Sequence, residues 1–246
     1  MSDWAFGRHT VLEALRSGRE IEKILLAEGI NKNSIQEILR KAREKKIPVQ
    51  WVPRARLDQL AEGNNHQGVL AQVAAYNYAT VDDLFRRAEE RGEPPFFVLL
   101  DGIEDPHNLG SILRSADAAG VHGVIIPKRR AAGLTSVVAK TSAGAIEYVP
   151  VARVTNLNRL ADELKERGVW LVGSDGAAET LYTEVDYKGP VAVVIGSEGQ
   201  GMSRLLKEKC DFLARLPMKG KVTSLNASVA AGIFMYEVLR GRTTNG

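Results

Sequence analysis

The sequence is poor in the residues that most often hold metals or form disulfides. It contains one cysteine, Cys210, and four histidines among 246 residues. A single cysteine excludes an internal disulfide, and the chain has neither a C-x-x-C nor an H-x-x-x-H pattern. We therefore expect no metal site and no metal-dependent catalysis. We interpret Cys210 as a structural residue at a helix end rather than as a nucleophile.

Long apolar runs are also missing. No stretch approaches the roughly 20 consecutive apolar residues that cross a bilayer. The first ten residues, MSDWAFGRHT, contain no basic segment followed by an apolar one, as a secretion signal would. With 44% hydrophobic and 26% charged residues, the composition is that of a globular protein, and we expect a cytoplasmic location.

Positive charge is concentrated in the first third of the chain. The net charge is only +3, but residues 1–76 hold 12 Lys and Arg against 9 Asp and Glu, whereas residues 77–246 hold 21 of each. Because Lys and Arg neutralise phosphates, this third is where we expect a nucleic acid to be attracted. Segment 33–46 carries basic side chains opposite an apolar stripe, and either a solvated surface or an RNA-facing surface accounts for them.

Hydrophobic periodicity predicts a small α/β domain at residues 1–76. Its predicted elements are helices 9–18, 33–46 and 56–62 and strands near 22–27, 48–52 and 68–76. Residues 77–95 contain a short amphipathic helix followed by Gly92 and a Pro-Pro pair, which interrupt regular structure. We assign residues 77–95 as a linker.

Residues 96–246 form the second predicted domain. Its apolar runs are FFVLLD, GVIIP, IEYVPVA, VWLVGS, VAVVIGS and FLARLP. The helices between and after them are expected at 108–119, 133–143, 155–168, 202–210 and 224–240. Near-continuous apolar strands that alternate with helices are typical of a parallel sheet covered on both faces. The predicted fold class is therefore α/β.

The first of these runs leads into a polar loop that opens a helix, DGIEDPHNLGSILRSADAAG. A dinucleotide-binding fold would carry G-x-G-x-x-G at this corner, and this chain has Asn108 and Arg114 instead, which argues against a Rossmann oxidoreductase. Asn108 is expected to cap the helix. Arg114 follows Leu113 and precedes small residues, so we expect it to face the interior and to need an anionic partner.

Two further strands end in polar corners. In VAVVIGSEGQGMS, Gly196 and Gly201 allow close approach of the backbone to a ligand, and Glu198 suits a cationic or amine-bearing ligand better than a phosphate. After the run FLARLP, which ends at Pro217, comes a basic loop that leads to Ser224. We expect Ser224 to cap the last helix. Open parallel sheets bind ligands beyond the carboxyl ends of their strands, so we expect the polar corners to form one site.

Taken in order, DPHNLGSILRSADAAG, VIGSEGQGMS and SLNASVAAGIFMYE resemble the three motifs of the SpoU (TrmH) family of RNA 2′-O-ribose methyltransferases, within the SPOUT superfamily. The residues that carry the resemblance are Asn108, Arg114, Gly196, Glu198, Gly201, Ser224 and Asn226. The segments FGRHTVLEAL and NNHQGVLA also resemble the family's small L30e-like substrate-binding domain. Within the family, the chain is most similar to members that methylate a guanosine in the P-site loop of bacterial 23S rRNA.

This resemblance implies a fold, a cofactor and partners. The second domain would contain a deep trefoil knot, an exception to the rule that chains do not thread their own loops. S-adenosylmethionine would bind bent in the knot, with its adenine held by backbone of the second and third motifs. The residues expected to bind it are Gly196, Gly201, Leu216 and Leu225. The protein would be a homodimer with helix 224–240 near the interface, and the first domain would bind RNA.

The residues implied in catalysis are Asn108, Arg114, Glu198, Ser224 and Asn226. Methyl transfer to a ribose hydroxyl needs an in-line approach, so positioning contributes much of the rate. An arginine keeps its proton up to a pKa of about 12 or higher, so we expect Arg114 to clamp a substrate phosphate or the developing alkoxide rather than to act as a general base. Glu198 would orient Arg114 or the cofactor's amine, and Asn108 would hold Arg114.

The sequence leaves two related functions open. One is a tRNA 2′-O-methyltransferase of the same family, and the other is a non-catalytic RNA-binding protein that assists ribosome assembly. In the second case the polar corners would be structural only. Binding of S-adenosylmethionine distinguishes the enzyme from the assembly protein.

Overall fold

The structure is a computed structural model that describes residues 2–74 and 76–243. These residues form two compact units. The first contains the described residues up to Asn77 together with Leu134–Tyr148, and the second contains Tyr78–Gly133 and the described residues from Val149 onward. The sequence-based division assigned Leu134–Tyr148 to the second domain, whereas in the structure this segment packs with the first unit.

The elements alternate along the chain, and the predicted α/β class with a parallel sheet is confirmed. In chain order they are β1 (Ser2–Phe6), α1 (Arg8–Ser17), β2 (Ile21–Ala27), α2 (Gln36–Glu44), β3 (Val49–Val52), α3 (Arg54–Ala61), β4 (Val69–Ala74), α4 (Val81–Arg91), β5 (Phe96–Asp101), α5 (Pro106–Ala118), β6 (Gly123–Pro127), α6 (Ser136–Thr141), β7 (Val151–Val154), α7 (Leu157–Glu166), β8 (Trp170–Ser174), β9 (Val191–Gly196), α8 (Arg204–Lys209), β10 (Phe212–Ala214) and α9 (Ala227–Thr243). Short 3₁₀ turns lie at Lys32–Ile35, Ala145–Glu147 and Tyr182–Glu184.

The first unit is built on a four-stranded sheet in the order β1-β4-β2-β3. β4 runs antiparallel to β1 and β2, and β2 is parallel to β3. Val11 and Leu15 of α1 are buried in one cluster with Ile24 of β2. The sequence did not predict β1, because its polar and apolar residues become a strand only by pairing with β4.

The segment Leu134–Tyr148 joins the first unit through specific polar contacts. Glu147 accepts hydrogen bonds from Arg19 Nη1 at 3.2 Å and from Ser17 Oγ at 3.0 Å. The Tyr148 hydroxyl donates to Glu13, and this hydrogen bond raises the pKa of Tyr148 to about 12. The predicted strand IEYVPVA is wrong in its first half, because these side chains hold residues 145–147 in a 3₁₀ turn and β7 begins only after it.

The second unit contains a six-stranded parallel sheet in the order β10-β8-β9-β5-β6-β7. β5 and β9 pair along their whole lengths, from Phe96 opposite Val191 to Asp101 opposite Gly196. The last residues of these two strands therefore lie side by side. The loops that follow them, which hold the first and second motifs, start from neighbouring positions.

Helix α4 belongs to the core of the second unit rather than to a linker. Leu84 is fully buried in one cluster with Phe97 and Ile125. Phe85 packs edge-on against Phe97, with ring centroids 4.9 Å apart. No helix within residues 2–74 or 76–243 has the length and apolar character needed to span a membrane.

Candidate functional site

The loops that follow β8, β9 and β10 surround a cavity of about 340 Å³, the first cavity. The residues that the sequence assigned to the cofactor all line it, and they are Gly196, Gly201, Leu216 and Leu225. Ile195 and Met218 add apolar wall, and the predicted catalytic residues Glu198 and Ser224 also face it. The second and third motifs therefore meet at one cavity beyond the carboxyl end of the sheet, as expected for an open parallel sheet.

The second motif forms a tight turn directly after β9. The Ser197 N–H donates to the Gly201 carbonyl at 3.1 Å, and the Gly201 N–H donates to the Ser197 carbonyl at 2.9 Å. A Cβ added to Gly196 would lie 2.1 Å from the carbonyl carbon of Gly201. Only glycine fits at position 196, because the backbone of the turn folds back onto it. The sequence predicted close approach of a ligand here, and the structure shows close approach of the protein's own backbone.

Asn108, Glu198 and Asn226 form a hydrogen-bonded cluster, the motif cluster, with one residue from each motif. Oε1 of Glu198 accepts from Asn108 Nδ2 at 3.0 Å, from Asn226 Nδ2 at 2.5 Å and from the Ala227 N–H at 3.1 Å. Asn226 Nδ2 also donates to Asn108 Oδ1 at 2.9 Å. The three motifs, far apart in sequence, are thus joined at a single carboxylate oxygen.

The predicted cap of α5 is wrong. Asp105 caps this helix, since its Oδ1 accepts from the His107 N–H at 2.8 Å, and Pro106 occupies the first helical position. Proline suits that position because its missing N–H would have no partner within the helix. Asn108 is the third residue of the helix, and its carboxamide takes part in the motif cluster instead of capping.

The predicted cap of α9 is also wrong. The helix begins at Ala227, and Asn226 caps it, because its Oδ1 accepts from the Ser228 N–H at 3.0 Å and the Val229 N–H at 3.3 Å. Asn226 therefore uses its oxygen for the helix and its nitrogen for the motif cluster. Ser224 lies in the preceding loop and faces the first cavity.

Arg114 lies on α5 with its side chain exposed to solvent. Its expected inward direction is wrong, because each helical residue is rotated by about 100° from the last and the fully buried Leu113 takes the inward position. Within residues 2–74 and 76–243, no hydrogen bond or ion pair joins Arg114 to another side chain. Asn108 and Glu198 bond to each other instead of to it. Arg114 therefore presents a free guanidinium at the surface.

Cys210 lies at the carboxyl end of α8, where the sequence placed it. Burial raises the pKa of its thiol to about 12, and its Sγ donates to the Leu206 carbonyl at 3.4 Å. At neutral pH this thiol is not a nucleophile, because the thiolate is the reactive form. In the part of the chain that the structure describes, no three His, Cys, Asp or Glu side chains are grouped as a metal site would require.

Both acidic side chains of α2, Glu37 and Glu44, form ion pairs within the first unit, and only one of these pairs involves a basic residue of α2. Arg40 forms an ion pair with Glu44 at 2.6 Å, and Arg16 of α1 bonds to Glu37 at 2.8 Å. Lys45 and Lys46 remain exposed at the end of this helix. The RNA-facing role of this surface remains a prediction.

Sequence reasoning missed the contribution of β8 to the first cavity. Ser174 ends this strand and lines the cavity together with Gly176, as does Thr223 before α9. The signal was present, because VWLVGSDG also leads from an apolar strand into a polar, glycine-containing loop. Without a strand order, nothing in the sequence indicated that β8 neighbours β9.

Comparison with known proteins gives consistent results over the whole chain. The family model described as SpoU rRNA Methylase family matches residues 95–236, and the model described as RNA 2′-O ribose methyltransferase substrate binding matches residues 4–79. A Bacillus subtilis protein, YacO, provisionally named a TrmH family tRNA/rRNA methyltransferase, is 58% identical over 244 residues, which are 99% of this chain and 98% of that protein.

Two solved structures are similar in fold. The SpoU methyltransferase AviRb from Streptomyces viridochromogenes, in complex with the cofactor AdoMet, superposes with a TM-score of 0.84 at 28% identity and covers 100% of this chain and 92% of its own. An AdoMet-bound rRNA methyltransferase from Sinorhizobium meliloti gives a TM-score of 0.80 at 27% identity, with coverage of 97% and 87%.

Proposed function

Since the chain belongs to the SpoU rRNA methylase family and is an RNA methyltransferase, we propose that it transfers a methyl group from S-adenosylmethionine to the 2′-hydroxyl of a guanosine in the P-site loop of bacterial 23S rRNA. The observation that carries this proposal is the convergence of all three motifs beside the first cavity. We also propose a cytoplasmic location, where ribosomal RNA is found in bacteria.

The first cavity suits the cofactor in size and in chemistry. About 340 Å³ lies within the range of small-molecule sites. The apolar side chains of Leu216, Met218 and Leu225 can contact the adenine, and the hydroxyl of Thr223 can bond the ribose of the cofactor. The carboxylate of Glu198 supplies a negative charge for a ligand that carries both a sulfonium and an ammonium group. Bound S-adenosylmethionine supplies an electrophilic methyl group.

The protein's own contribution is to align an RNA hydroxyl with that methyl group and to stabilise the charge that develops on the oxygen. The motif cluster fixes the start of α5 to the start of α9, so it holds the loops around the first cavity in one arrangement. Such positioning is worth several orders of magnitude in a displacement reaction. Ser224 and Asn226 are proposed to contact the substrate ribose at the rim.

Arg114 is proposed to bind the substrate phosphate or the developing alkoxide. Its guanidinium is exposed on the helix that begins at the motif cluster, and it bonds to no other side chain of the described residues. A guanidinium binds phosphate oxygens in a bidentate manner and keeps its proton at every relevant pH. The proton of the hydroxyl therefore goes to water or to a nearby oxygen rather than to Arg114.

RNA is proposed to bind the first unit, which carries the excess of basic residues and matches the substrate-binding model. RNA sequence is usually recognised in loops with unstacked bases, which suits a guanosine in an rRNA loop. A tRNA substrate is the second candidate, because YacO is named a tRNA/rRNA methyltransferase.

The protein is also proposed to be a homodimer that uses α9. Its small residues pack within the chain, since a Cβ on Gly232 would lie 3.7 Å from Ser115 Oγ of α5. The face of α9 opposite its fully buried residues Ala231 and Phe234 exposes Val229 (50%) and Tyr236 (51%), which are seven residues apart and so lie on one side of the helix. Exposed apolar side chains aligned in this way are suited to a helix of a second copy.

Calorimetry with S-adenosylmethionine tests the cofactor site. We expect the full-length protein to bind S-adenosylmethionine and not NAD. Leu225→Trp should weaken binding at least tenfold because the larger ring fills the first cavity, whereas Val222→Trp should leave it unchanged, since Val222 is 67% exposed and does not line the cavity. Absence of binding to the wild-type protein would favour the non-catalytic RNA-binding alternative.

A further inference from the structure

A second cavity of about 370 Å³ shares two of its lining residues, Ser197 and Gly201, with the first. Its other walls include Asp101 at the end of β5, Glu104 in the loop that follows and Arg130 in the loop after β6. None of these three residues has a role in cofactor binding or in the motif cluster. The second cavity therefore adjoins the proposed site of methyl transfer and has chemistry of its own.

The loop that carries Arg130 is anchored at both ends. The Ala132 N–H donates to the Ile103 carbonyl at 2.8 Å, and both residues are buried. At the other end, Arg153 Nη2 donates to the Lys128 carbonyl at 2.9 Å. The bond from Ala132 joins this loop to the residue before Glu104. Glu104 and Arg130 are therefore held on neighbouring walls of the second cavity.

The charged groups of the second cavity differ in their bonding. Oδ2 of Asp101 accepts from the Ser203 N–H at 2.7 Å, so this carboxylate supports the wall. Within residues 2–74 and 76–243, neither Glu104 nor Arg130 bonds to a protein partner, and no ion pair joins them. Arg130 also has a φ of +56°, a left-handed conformation that a side chain with a Cβ rarely adopts. Such backbone strain is concentrated at functional sites in proteins.

We propose that the second cavity binds the base of the target guanosine, with Arg130 donating to O6 and N7 and Glu104 accepting from N1–H and the N2 amino group. The proposal rests on the proposed function. Arginine is the residue that most often reads the O6 and N7 acceptors of guanine, and a carboxylate can only accept hydrogen bonds. Arg130 could instead bind a phosphate, which is an anion. The carboxylates of Glu104 and Asp101, which line the same cavity, would repel it.

This arrangement selects guanine over adenine. Adenine carries an amino group where guanine has O6, and its N1 is an acceptor. Arg130 would then face a donor, and Glu104 would face an acceptor. Bases recognised in this way must be unstacked, which is usual for RNA loops.

The test uses an RNA hairpin with the P-site loop sequence, in which each loop guanosine in turn is replaced by inosine or by 7-deazaguanosine. Inosine lacks the N2 amino group, and 7-deazaguanosine lacks the N7 acceptor. Binding to the full-length protein is measured by fluorescence anisotropy with S-adenosylhomocysteine present, and kcat/KM is measured with S-adenosylmethionine. At one position the wild-type protein should prefer guanosine to each analogue by about tenfold, as expected for the loss of one hydrogen bond to a charged side chain.

Variants separate the two contacts. Arg130→Met should abolish the preference over 7-deazaguanosine and keep the preference over inosine, and Glu104→Leu, which removes the acceptor, should do the reverse. Arg129→Met is the matched control, because it removes the same charge from the same loop but does not line the second cavity. It should weaken binding of all three hairpins equally and leave both ratios unchanged.

The outcomes distinguish this inference from the proposed function. Methyl transfer by the wild-type protein without discrimination among the three bases would overturn base recognition and leave the proposed function intact. An equal loss on all three hairpins for Arg130→Met, as for Arg129→Met, would identify Arg130 as a backbone-phosphate contact instead. Discrimination in binding without any methyl transfer would support the base site and contradict the proposed function, and no binding to the hairpin would contradict both.

Discussion

Glu198 collects three hydrogen-bond donors from two other motifs on one carboxylate oxygen. Its side chain is exposed, so water can accept hydrogen bonds from these donors if the carboxylate is removed. Hydrogen bonds to charged groups are nevertheless worth about 1.5–3 kcal/mol when they are protected from water, and less at a surface. The contribution of Glu198 should therefore be greater to the arrangement of the site than to the stability of the fold.

Glu198→Ala should lower kcat by roughly 10- to 100-fold, because the loops around the first cavity lose their common acceptor. The free energy of unfolding should fall by only about 1 kcal/mol. Turnover of RNA and urea unfolding measure the two effects. Glu166→Ala, an exposed carboxylate on α7, is the control and should change neither. Wild-type turnover in Glu198→Ala, or a loss of stability as severe as the loss of activity, would contradict this role.

His122 is fully buried beside Phe96 and Glu93. Its Nδ1 accepts from the Phe96 N–H at 3.0 Å, so its Nε2 carries the proton and donates to Glu93 at 3.0 Å. Burial lowers the pKa of His122, and the bond to Glu93 offsets this only in part. His122 is therefore neutral in the native protein at neutral pH.

This burial predicts that stability falls as the pH drops below the ordinary histidine pKa of about 6.5. Just below pH 6.5 this histidine is protonated in the unfolded chain but stays neutral in the native protein. The free energy of unfolding therefore increases with pH up to about 6.5 and is constant above it. Urea unfolding of the wild type and of His122→Asn between about pH 5.5 and 7.5 measures this pH dependence. The free energy of unfolding of the variant should change less with pH. Equal slopes would show that His122 does not cause the dependence.

The sequence predicted which residues form the site better than it predicted where their side chains point. The sequence identified Asn108, Glu198 and Asn226 because their motifs are distinctive, and the structure joins these three side chains. It did not indicate that Arg114 points outward, because its small neighbours fit either side of a helix. The predicted helix caps were wrong because several polar residues near the start of each helix can cap it, and the sequence does not show which one does.

At the level of elements, the turn after β9 depends on its first glycine. Gly196→Ala should lower the free energy of unfolding by about 3 kcal/mol, because its Cβ would overlap the backbone of Gly201, which cannot move without breaking the turn. Chemical denaturation measures the change. Gly220→Ala is the matched control, since a Cβ there meets nothing within 4 Å, and it should stay within about 0.5 kcal/mol of wild type. Equal stability of both variants would show that the turn yields easily.

The buried strands of the parallel sheet were the most predictable elements. β5 and β9 are continuous apolar runs, and burial on both faces leaves no other environment for them. β1 and the 3₁₀ turn Ala145–Glu147 were not predictable, because contacts with residues distant in sequence determine them. The pattern of apolar and polar residues within a short segment does not show such contacts.

At the level of the whole molecule, the sequence predicted two α/β regions and could not predict that Leu134–Tyr148 packs with the first unit. That assignment depends on contacts such as Glu147 with Arg19, which join positions 128 residues apart. The trefoil knot expected for the second domain remains a prediction from the family resemblance.

The proposed homodimer predicts the mass of the protein in solution. Sedimentation of the wild-type protein should give twice the 26.8 kDa mass of one chain. Tyr236→Glu combined with Val229→Glu should give monomers, because the substitutions place charges on the exposed face of α9. Val222→Glu, at a more exposed position outside α9, should remain dimeric. A wild-type protein that sediments as a monomer at micromolar concentration would contradict the dimer.

Methyl transfer to a ribose oxygen of rRNA is measured by mapping the 2′-O-methylated nucleotides. Unmodified 23S rRNA is incubated with the protein and S-adenosylmethionine, and resistance to alkaline cleavage is read along the chain. One new protected position is expected, a guanosine in the P-site loop, and it should appear roughly 10- to 100-fold more slowly with Glu198→Ala. Methylation of a base, or no protected position in 23S rRNA, would contradict it.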